Sequence, residues 1–387
     1  MSTDDTGTRP EDDGRPGVGV DDDMTVADDL AGTTPVVDEP HLGEPEDDEP
    51  APRQRHMLRR LLIALGALAL VIALIVGGGL WYLTAHFGGN IARVSDVFGT
   101  VDQGARPAEA SPVRGGGTPV TFLLVGSDTR SHFAQGQVPD SRSDAIMLVR
   151  FTADRQQAQV ISIPRDSWVP IPGHGTSKIN AAWAWGGPSL LIQTVEQLTH
   201  VRIDHFAAID FDGIIQVTDD LGGVDVTVAQ TTSNGPYTFP AGKNHLDGDQ
   251  ARWYLGQRHR LPGGDFDRER RQQQYLKSMF AKLFSSDTFT SPSRLDKALR
   301  VVTKSVAVDD TLSNANLLSL GYSLRNVTPA HVQFFTAPVA GTGMEGAASV
   351  VYLDMNAGAR MWADLNNDSL SENAAEFSRQ ALPDVPR

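Results

Sequence analysis

The sequence predicts an α/β fold, a central mixed sheet covered by helices, placed after one N-terminal transmembrane helix. Two observations predict it. In the second part of the chain, short apolar runs of strand length alternate with segments of helical spacing, which favours a sheet covered by helices. Before them, residues 61–83 form a run of 23 residues without a charge. A helix of that length spans the ~30 Å hydrocarbon core of a bilayer.

The N-terminal segment, residues 1–56, is predicted to be a disordered acidic tail. Residues 1–50 contain 17 acidic and 2 basic residues, which accounts for the whole net charge of −15. The segment lacks the apolar periodicity that offsets chain entropy on folding. Four arginines precede the apolar run: Arg53, Arg55, Arg59 and Arg60. Positive residues stay on the cytoplasmic side, so we expect a single-pass membrane protein with its tail inside and residues 84–387 outside the cell.

The external part divides into three predicted segments. Residues 84–118 contain several Gly and Pro and are predicted to be a stalk, with a short helix over 91–101. Residues 119–368 are predicted to form the main folded domain, and 369–387 a C-terminal tail. Because the chain ends soon after residue 365, we expect no further C-terminal module.

The elements of the predicted domain follow from periodicity and capping residues. Asp247 and Asp265 each precede a segment of helical pattern and are predicted to cap it. Strands are predicted at 120–125, 145–151, 160–163, 206–209, 224–228 and 332–336. Helices are predicted at 189–198, 211–220, 248–257, 265–284, 294–306, 312–324 and 354–365.

Composition excludes several classes of function. The chain has no Cys, which rules out disulfide scaffolds, Cys-ligated zinc, iron–sulfur clusters and thiol catalysis. Outside the acidic tail the charges balance, which argues against a nucleic-acid partner. Gly-x-Ser-x-Gly, His-Glu-x-x-His and P-loop motifs are absent from the sequence.

Two acids stand at the ends of predicted strands. Asp128 directly follows the first strand, and Asp144 directly precedes the second. If these strands are neighbours, the two carboxylates meet and offer hard oxygen ligands suited to Mg²⁺. The alternative is that both are ordinary turn residues.

Cationic side chains form the second group of candidates. Arg165 ends another predicted strand, Lys178 follows a Pro/Gly loop, and six arginines crowd into residues 252–271. Arg268, Arg271 and Tyr275 recur at helical spacing and share a face. Guanidinium groups match phosphate oxygens bidentately, so these residues predict a pyrophosphate site. The alternative is a solvated basic face paired with Asp265, Asp267 and Glu269.

Six segments, in this order, resemble the LytR-CpsA-Psr proteins. They are LLVGSDTR (123–130), RSDAIMLV (142–149), VISIPRDSWVPIPG (160–173), KINAAWAWGG (178–187), HFAAIDFDGIIQVTDDLGGVDV (205–226) and GQRHRLPGGDFDRERRQQ (256–273). The resemblance is close from about residue 120 to 283 and looser to residue 365. One N-terminal span before an external domain is also typical of that family.

The resemblance implies a phosphotransferase of the Gram-positive cell wall. Such enzymes move a glycopolymer from a polyprenyl-pyrophosphate lipid to a peptidoglycan sugar, depend on Mg²⁺, and hold the lipid in an apolar pocket. Matched residue by residue, it implies metal binding by Asp128 and Asp144. It implies pyrophosphate binding and catalysis by Arg165, Arg258, Arg260 and Arg268, and further substrate contacts by Arg130, Lys178, Arg271 and Gln272. Gln272, Gln273 and Gln274 are alternatives for the glutamine near the site.

Two other functions stay open at this point. The enzyme would act as a hydrolase if water replaced the sugar as acceptor. A membrane-anchored lipid-binding or regulatory protein is the non-catalytic alternative. Either Asp166 or Asp265 is expected to accept the proton of the acceptor hydroxyl. Trp183 and Trp185 are candidates for stacking on sugars or lining the lipid pocket, against the alternative of core aromatics.

Overall fold

A computed structural model describes residues 91–112, 116–127, 145–257, 259–283 and 306–385, together with 296, 300 and 303. The predicted membrane span, 61–83, lies outside these residues. Among the residues described, no helix combines the length and the apolar character needed to cross a bilayer.

A mixed seven-stranded sheet forms the centre of the fold, as predicted. In spatial order its strands are β1 (Ala92–Val94), β12 (Val306–Asp309), β7 (His205–Asp210), β2 (Val120–Ser127), β3 (Ala145–Phe151), β4 (Ala158–Ser162) and β13 (Val332–Thr336). β2 pairs parallel with β7 and antiparallel with β3, and β13 pairs parallel with β4. Gly126 lies opposite Ala145, so β2 ends where β3 begins.

Smaller elements surround this sheet. The hairpins and short strands are β5 (Trp168–Ile171), β6 (Gly175–Lys178), β8 (Val224–Val228), β9 (Thr232–Asn234), β10 (Tyr237–Phe239), β11 (Gly242–Leu246), β14 (Val339–Glu345) and β15 (Ala348–Leu353). The helices are α1 (Asn180–Thr199), α2 (Phe211–Asp220), α3 (Gly248–Leu255), α4 (Asp265–Leu283), α5 (Asn314–Ser323) and α6 (Met355–Asn366), with a 3₁₀ turn at Pro329–His331.

Alternation along the strands places apolar side chains on both faces of the sheet. Ile146 belongs to a core packed under α1 and α6, whereas its neighbour Met147 belongs to a core under α3 and α4. Successive side chains of a strand point to opposite faces, so the central strands supply apolar side chains to both cores, beside buried polar residues such as Arg150 and Gln159. The sheet is therefore a middle layer between two helical layers.

Several predicted boundaries change in the structure. The predicted helix over 91–101 is wrong, because β1 forms there and Val94, Val97 and Val101 are buried in the core. The predicted helix at 294–306 lies largely outside the described residues, and Val306 begins a strand. α1 begins nine residues earlier than predicted. Asp265 is the first residue of α4 rather than its cap.

Residues after α6 fold back onto the sheet. Phe377 is fully buried, and the N–H of Leu382 donates to the carbonyl oxygen of Phe334 in β13. At the other end of the sequence, the Arg106 guanidinium pairs with buried Glu196 of α1 at 2.7 Å. The segments predicted to be stalk and tail thus both contribute contacts to the folded body.

Trp183 and Trp185, two residues apart on α1, have opposite environments. The Trp183 ring is 1% exposed and stacks on Phe206 of β7 at 6.0 Å, whereas Trp185 is 49% exposed. The core alternative is therefore correct for Trp183 and not for Trp185.

We predict that Trp183→Ala lowers the free energy of unfolding by about 3–5 kcal/mol, since it removes a large buried side chain and leaves a cavity. Urea denaturation of the wild type and the variant measures the difference. Trp185→Ala is the matched control, expected to cost about 1 kcal/mol or less because its side chain stays half in water. Equal losses in the two variants would contradict the assigned environments.

Candidate active site

Two arginines from different elements share one carboxylate at the end of the sheet. Arg165 follows β4, and its Nε lies 3.4 Å from an oxygen of Asp265, the first residue of α4. Arg268, one turn further along α4, pairs with the same carboxylate at 2.8 Å. The Arg268 side chain is only 4% exposed, whereas that of Asp265 is 42% exposed. Asp265 thus holds two guanidinium groups side by side and leaves part of its own charge in water.

The β5–β6 hairpin brings a third cation next to this pair. Lys178 ends β6, and its Nζ lies 2.9 Å from Asp166, the neighbour of Arg165. The backbone N–H of Asn180 donates to the carbonyl oxygen of Arg165 at 3.2 Å, which closes the loop between them. Residues that are far apart in sequence therefore meet in one cluster. We call it the cation cluster: Arg165, Lys178 and Arg268.

Gln273 fixes α4 over the sheet. Its Nε2 donates to Ser162 Oγ of β4 at 2.7 Å and to the carbonyl oxygen of Phe335 in β13 at 3.0 Å. Gln274 instead donates to the carbonyl oxygen of Thr227 in β8. Gln272 lines the cavities described below. The three glutamines, which the sequence alone does not separate, thus have distinct positions.

Arg271 is buried and engaged with protein groups. Its Nη1 donates to Gln257 Oε1 at 2.7 Å and its Nη2 to Thr232 Oγ1 at 3.0 Å. The guanidinium also lies 4.7 Å from the ring centre of Tyr254, whose pKa burial raises to about 12. Gln257 in turn donates to the carbonyl oxygen of His259. In this structure Arg271 anchors the start of the segment that carries Arg258 and Arg260.

Two connected cavities lie beside the cation cluster. The polar one, about 10 Å³, is lined by Arg165, Asp265, Arg268 and Glu269 together with the ends of β3 and β4. The apolar one, about 30 Å³, lies between the sheet and the helices α3 and α4. Its apolar lining consists of Leu124, Gly126, Ala145, Met147, Ile209, Leu255, Tyr275 and Leu276. Ala145, Met147 and Gln272 line both cavities, so charged and apolar surfaces are continuous.

Glu269 is an acid of this site that the sequence analysis did not single out as a functional residue. Loss of hydration, and then repulsion from Asp265, raise its pKa to about 7, although the Ser162 hydroxyl, Arg268 and Arg270 act in the opposite direction. One signal was available, because Glu269 lies four residues after Asp265 and therefore shares its helix face.

Of the other predicted site residues, only Arg260 lies within the described part of the chain. Arg260 is exposed and has a positive φ of 63°. Asp128, Arg130, Asp144 and Arg258 lie outside the described residues. Within the described part of the chain, no group of three or more His, Asp or Glu residues is arranged to hold a metal ion.

The alternative of a wholly solvated basic face is wrong for part of α4. Arg270 is 41% exposed and pairs with Asp267, as that alternative expects. Arg268 and Arg271 are buried, with Tyr275 on the same face. Burial of charged groups without partners is costly, so this face is built around specific contacts.

A family comparison agrees with the motifs quoted above. A model of the LytR_cpsA_psr family matches residues 100–367, which is more than half of the chain. The chain belongs to this family. The match includes every element that contributes to the cation cluster and to both cavities.

Curated relatives carry cell-wall names. The chain is 33% identical over 280 residues to the cell wall biosynthesis protein LcpA of Corynebacterium glutamicum, covering 61% of this chain and 53% of that protein. It is 32% identical over 205 residues to an Enterococcus faecalis protein named polyisoprenyl-teichoic acid–peptidoglycan teichoic acid transferase TagU, covering 53% and 66%. The matched part thus spans about half to two thirds of these relatives.

A solved structure of the family has the same fold. TagT, a Bacillus subtilis protein, was solved bound to LIIa-WTA, and that structure superposes with a TM-score of 0.52 at 25% identity. The superposition covers 69% of this chain and 98% of TagT. The mixed sheet with flanking helices is therefore the arrangement found in this family.

We predict that Glu269→Gln stabilises the protein at pH 8 and has little effect at pH 4. The folded-state pKa of Glu269 is raised, to about 7. In the unfolded chain the Glu269 carboxyl ionises at about pH 4.5, whereas in the folded protein it stays protonated up to about pH 7. The free energy of unfolding therefore falls between these pH values, by up to about 3 kcal/mol. Urea denaturation at both pH values, with EDTA present, measures the difference. The same effect of the substitution at both pH values would contradict the raised pKa.

Proposed function

We propose that this protein is a membrane-anchored, Mg²⁺-dependent phosphotransferase that moves a glycopolymer from a polyprenyl-pyrophosphate carrier to peptidoglycan. The observation that carries the proposal is the cation cluster, which opens beside an apolar cavity. A pyrophosphate needs concentrated positive charge and a polyprenyl chain needs apolar surface. The names of the Corynebacterium and Enterococcus relatives, and the LIIa-WTA bound to TagT, support the same chemistry.

In the proposed reaction, a sugar hydroxyl of the acceptor attacks the phosphorus that carries the glycopolymer. A new phosphorus–oxygen bond forms to the acceptor, and the bond to the bridging pyrophosphate oxygen breaks. Polyprenyl phosphate leaves, and the hydroxyl proton passes to a carboxylate. Asp166 and Asp265 both lie at the cation cluster, so either is positioned to accept it.

Arg165 and Arg268 would bind the pyrophosphate oxygens. Their guanidinium planes are already held by Asp265, so little side-chain freedom is lost when phosphate binds. Preorganised cations of this kind account for much of the rate in phosphoryl transfer, because the reaction develops charge on phosphate oxygens. Lys178, held by Asp166, would add a point charge, while Arg258 and Arg260 would approach from the loop that Arg271 anchors.

Asp128 and Asp144 are the proposed Mg²⁺ ligands. Gly126 of β2 pairs with Ala145 of β3. Asp128 directly follows β2 and Asp144 directly precedes β3, so both acids adjoin neighbouring strand ends in the sequence. Two carboxylates, with phosphate oxygens and water completing the shell, suit Mg²⁺. The metal would supply further neutralisation of phosphate charge.

The apolar cavity is the proposed entrance for the lipid chain. The cavity is narrow, with a volume of about 30 Å³. A polyprenyl chain is far larger, so its binding requires Leu255, Tyr275 and Leu276 to move away from the sheet. We therefore propose that α3 and α4 separate from the sheet when the lipid enters.

The topology proposed from the sequence fits this reaction. The span at 61–83 would anchor the protein with its acidic tail, 1–56, in the cytoplasm and its folded body outside. Lipid carrier, glycopolymer and peptidoglycan would then meet on the outer side of the cell membrane.

We predict that Asp144→Ala reduces the Mg²⁺-dependent release of polyprenyl phosphate by about 100-fold or more, because it removes a metal ligand and the charge neutralisation that the metal supplies. The assay uses the full chain in detergent, a polyprenyl-pyrophosphate-linked disaccharide and a peptidoglycan fragment, with EDTA as a second test. Mass spectrometry of the product identifies a sugar–phosphate–peptidoglycan adduct.

Three outcomes would contradict this proposal in different ways. Release without an adduct indicates a hydrolase, in which water is the acceptor. Tight lipid binding without release indicates a binding protein. Release that persists in EDTA and in Asp144→Ala excludes the metal step.

We predict that Arg258→Lys and Arg260→Lys each weaken binding of the lipid head group by about tenfold, because lysine keeps the charge but loses the bidentate fork. Calorimetric titration with the pyrophosphate lipid measures the dissociation constant. Arg325→Lys, at an exposed arginine stacked on Tyr322, is the matched control and is expected to bind normally. Unchanged binding in both site variants would remove this loop from the site.

A further inference from the structure

A two-glycine kink interrupts α1 directly after Trp185. Gly186 and Gly187 have non-helical angles, with φ 61° and ψ −151° at Gly187. That region of backbone space is accessible essentially only to glycine. A Cβ at Gly186 would lie 2.5 Å from Cβ of Leu190. Both glycines are therefore required for the bend, which opens a space beside the preceding tryptophan.

Trp185 keeps half of its large apolar side chain in water. One face of its ring stacks on His174 from the turn between β5 and β6, with ring centres 5.1 Å apart and planes inclined by 28°. Because an aromatic ring has two faces and this side chain is 49% exposed, the other face is open. The stacking on His174 holds the ring in one orientation, and a rigid exposed tryptophan is typical of a binding surface.

An open cleft of about 530 Å³ lies beside this ring. The kink at Gly186 and Gly187 forms its floor, and the residues after β1 form its other side. There, Ser95, Asp96 and Thr100 are exposed and offer hydroxyl and carboxylate groups. A flat apolar ring opposite polar acceptors matches a pyranose sugar, which has an apolar C–H face and a rim of hydroxyl groups.

The cleft is close to the cation cluster along the chain. Lys178 belongs to that cluster, and α1 begins two residues later at Asn180. At 1.5 Å per residue, Trp185 lies about 8 Å along the helix axis from Asn180. The cleft therefore lies along the helix that starts two residues after Lys178.

We propose that the cleft between Trp185 and Asp96 is a binding subsite for a pyranose residue of a glycan. The inference rests on the proposed phosphotransferase function, since both substrates of that reaction carry glycans. Both the donor polymer and the acceptor peptidoglycan present pyranose rings. Trp185 supplies the stacking face, and Asp96 and Thr100 accept hydrogen bonds from sugar hydroxyls.

The test compares Trp185→Ala with Tyr322→Ala in the full chain in detergent. Tyr322 is a matched control, being an aromatic residue that is 71% exposed and stacks on Arg325, remote in sequence from the cleft. The first measurement is calorimetric titration with chitotetraose, which needs no turnover. We expect Trp185→Ala to weaken binding about tenfold, Trp185→Phe to retain most of it, and Tyr322→Ala to match the wild type.

The second measurement separates the two sources of glycan. A KM raised only for the peptidoglycan fragment, with kcat unchanged, assigns the subsite to the acceptor. A KM raised only for the lipid-linked oligosaccharide assigns it to the donor. Release of polyprenyl phosphate by the wild-type protein tests the proposed function by itself, because that assay involves no substitution in the cleft. An unchanged KM for both substrates in Trp185→Ala, or wild-type protein that does not bind chitotetraose, would overturn the inference.

Discussion

One carboxylate shared by two guanidinium groups organises this end of the molecule. Asp265 pairs with Arg165 from the end of β4 and with Arg268 from its own helix. Without that shared negative charge, two like charges would repel one another beside the apolar core. The carboxylate therefore holds the two guanidinium groups together at this end of the sheet. Because Asp265 is partly exposed, a phosphate bound as proposed would compete with this carboxylate for the same donors.

The remaining contacts of α4 serve that arrangement. Gln273 ties the helix to the ends of β4 and β13, which fixes its height above the sheet. Arg271 donates hydrogen bonds to Gln257 and Thr232, which connects the helix to the segment before Arg258 and to β9. On one face of this helix, Arg268 belongs to the cation cluster, and Arg271 bonds to neighbouring parts of the protein. Tyr275 and Leu276 of the same helix form part of the wall of the apolar cavity, so in the proposed reaction α4 would couple head-group binding to lipid entry.

The fold was predictable where local signals were strong. Apolar runs located β3 and β13, and capping residues located α3, where Asp247 accepts from the N–H of Gln250. Prediction failed where tertiary contacts decide the outcome. The start of α1 was hidden by Gly186, Gly187 and Pro188, which look like helix breakers in sequence but form a kink in the structure. The helical face of Arg268, Arg271 and Tyr275 was predicted correctly. Spacing alone does not reveal which arginine faces a cavity and which is bonded inside the protein.

The central claim is that the cation cluster recognises a pyrophosphate rather than a single phosphate. Its most direct test is the ratio of dissociation constants for polyprenyl pyrophosphate and polyprenyl phosphate, measured with the full chain and Mg²⁺. We expect the wild type to bind the pyrophosphate at least about tenfold more tightly, and Arg165→Lys to lose most of that preference, since the second phosphate gains charge-assisted hydrogen bonds from the guanidinium. Equal affinity for the two lipids in the wild type, or an unchanged ratio in Arg165→Lys, would contradict the account.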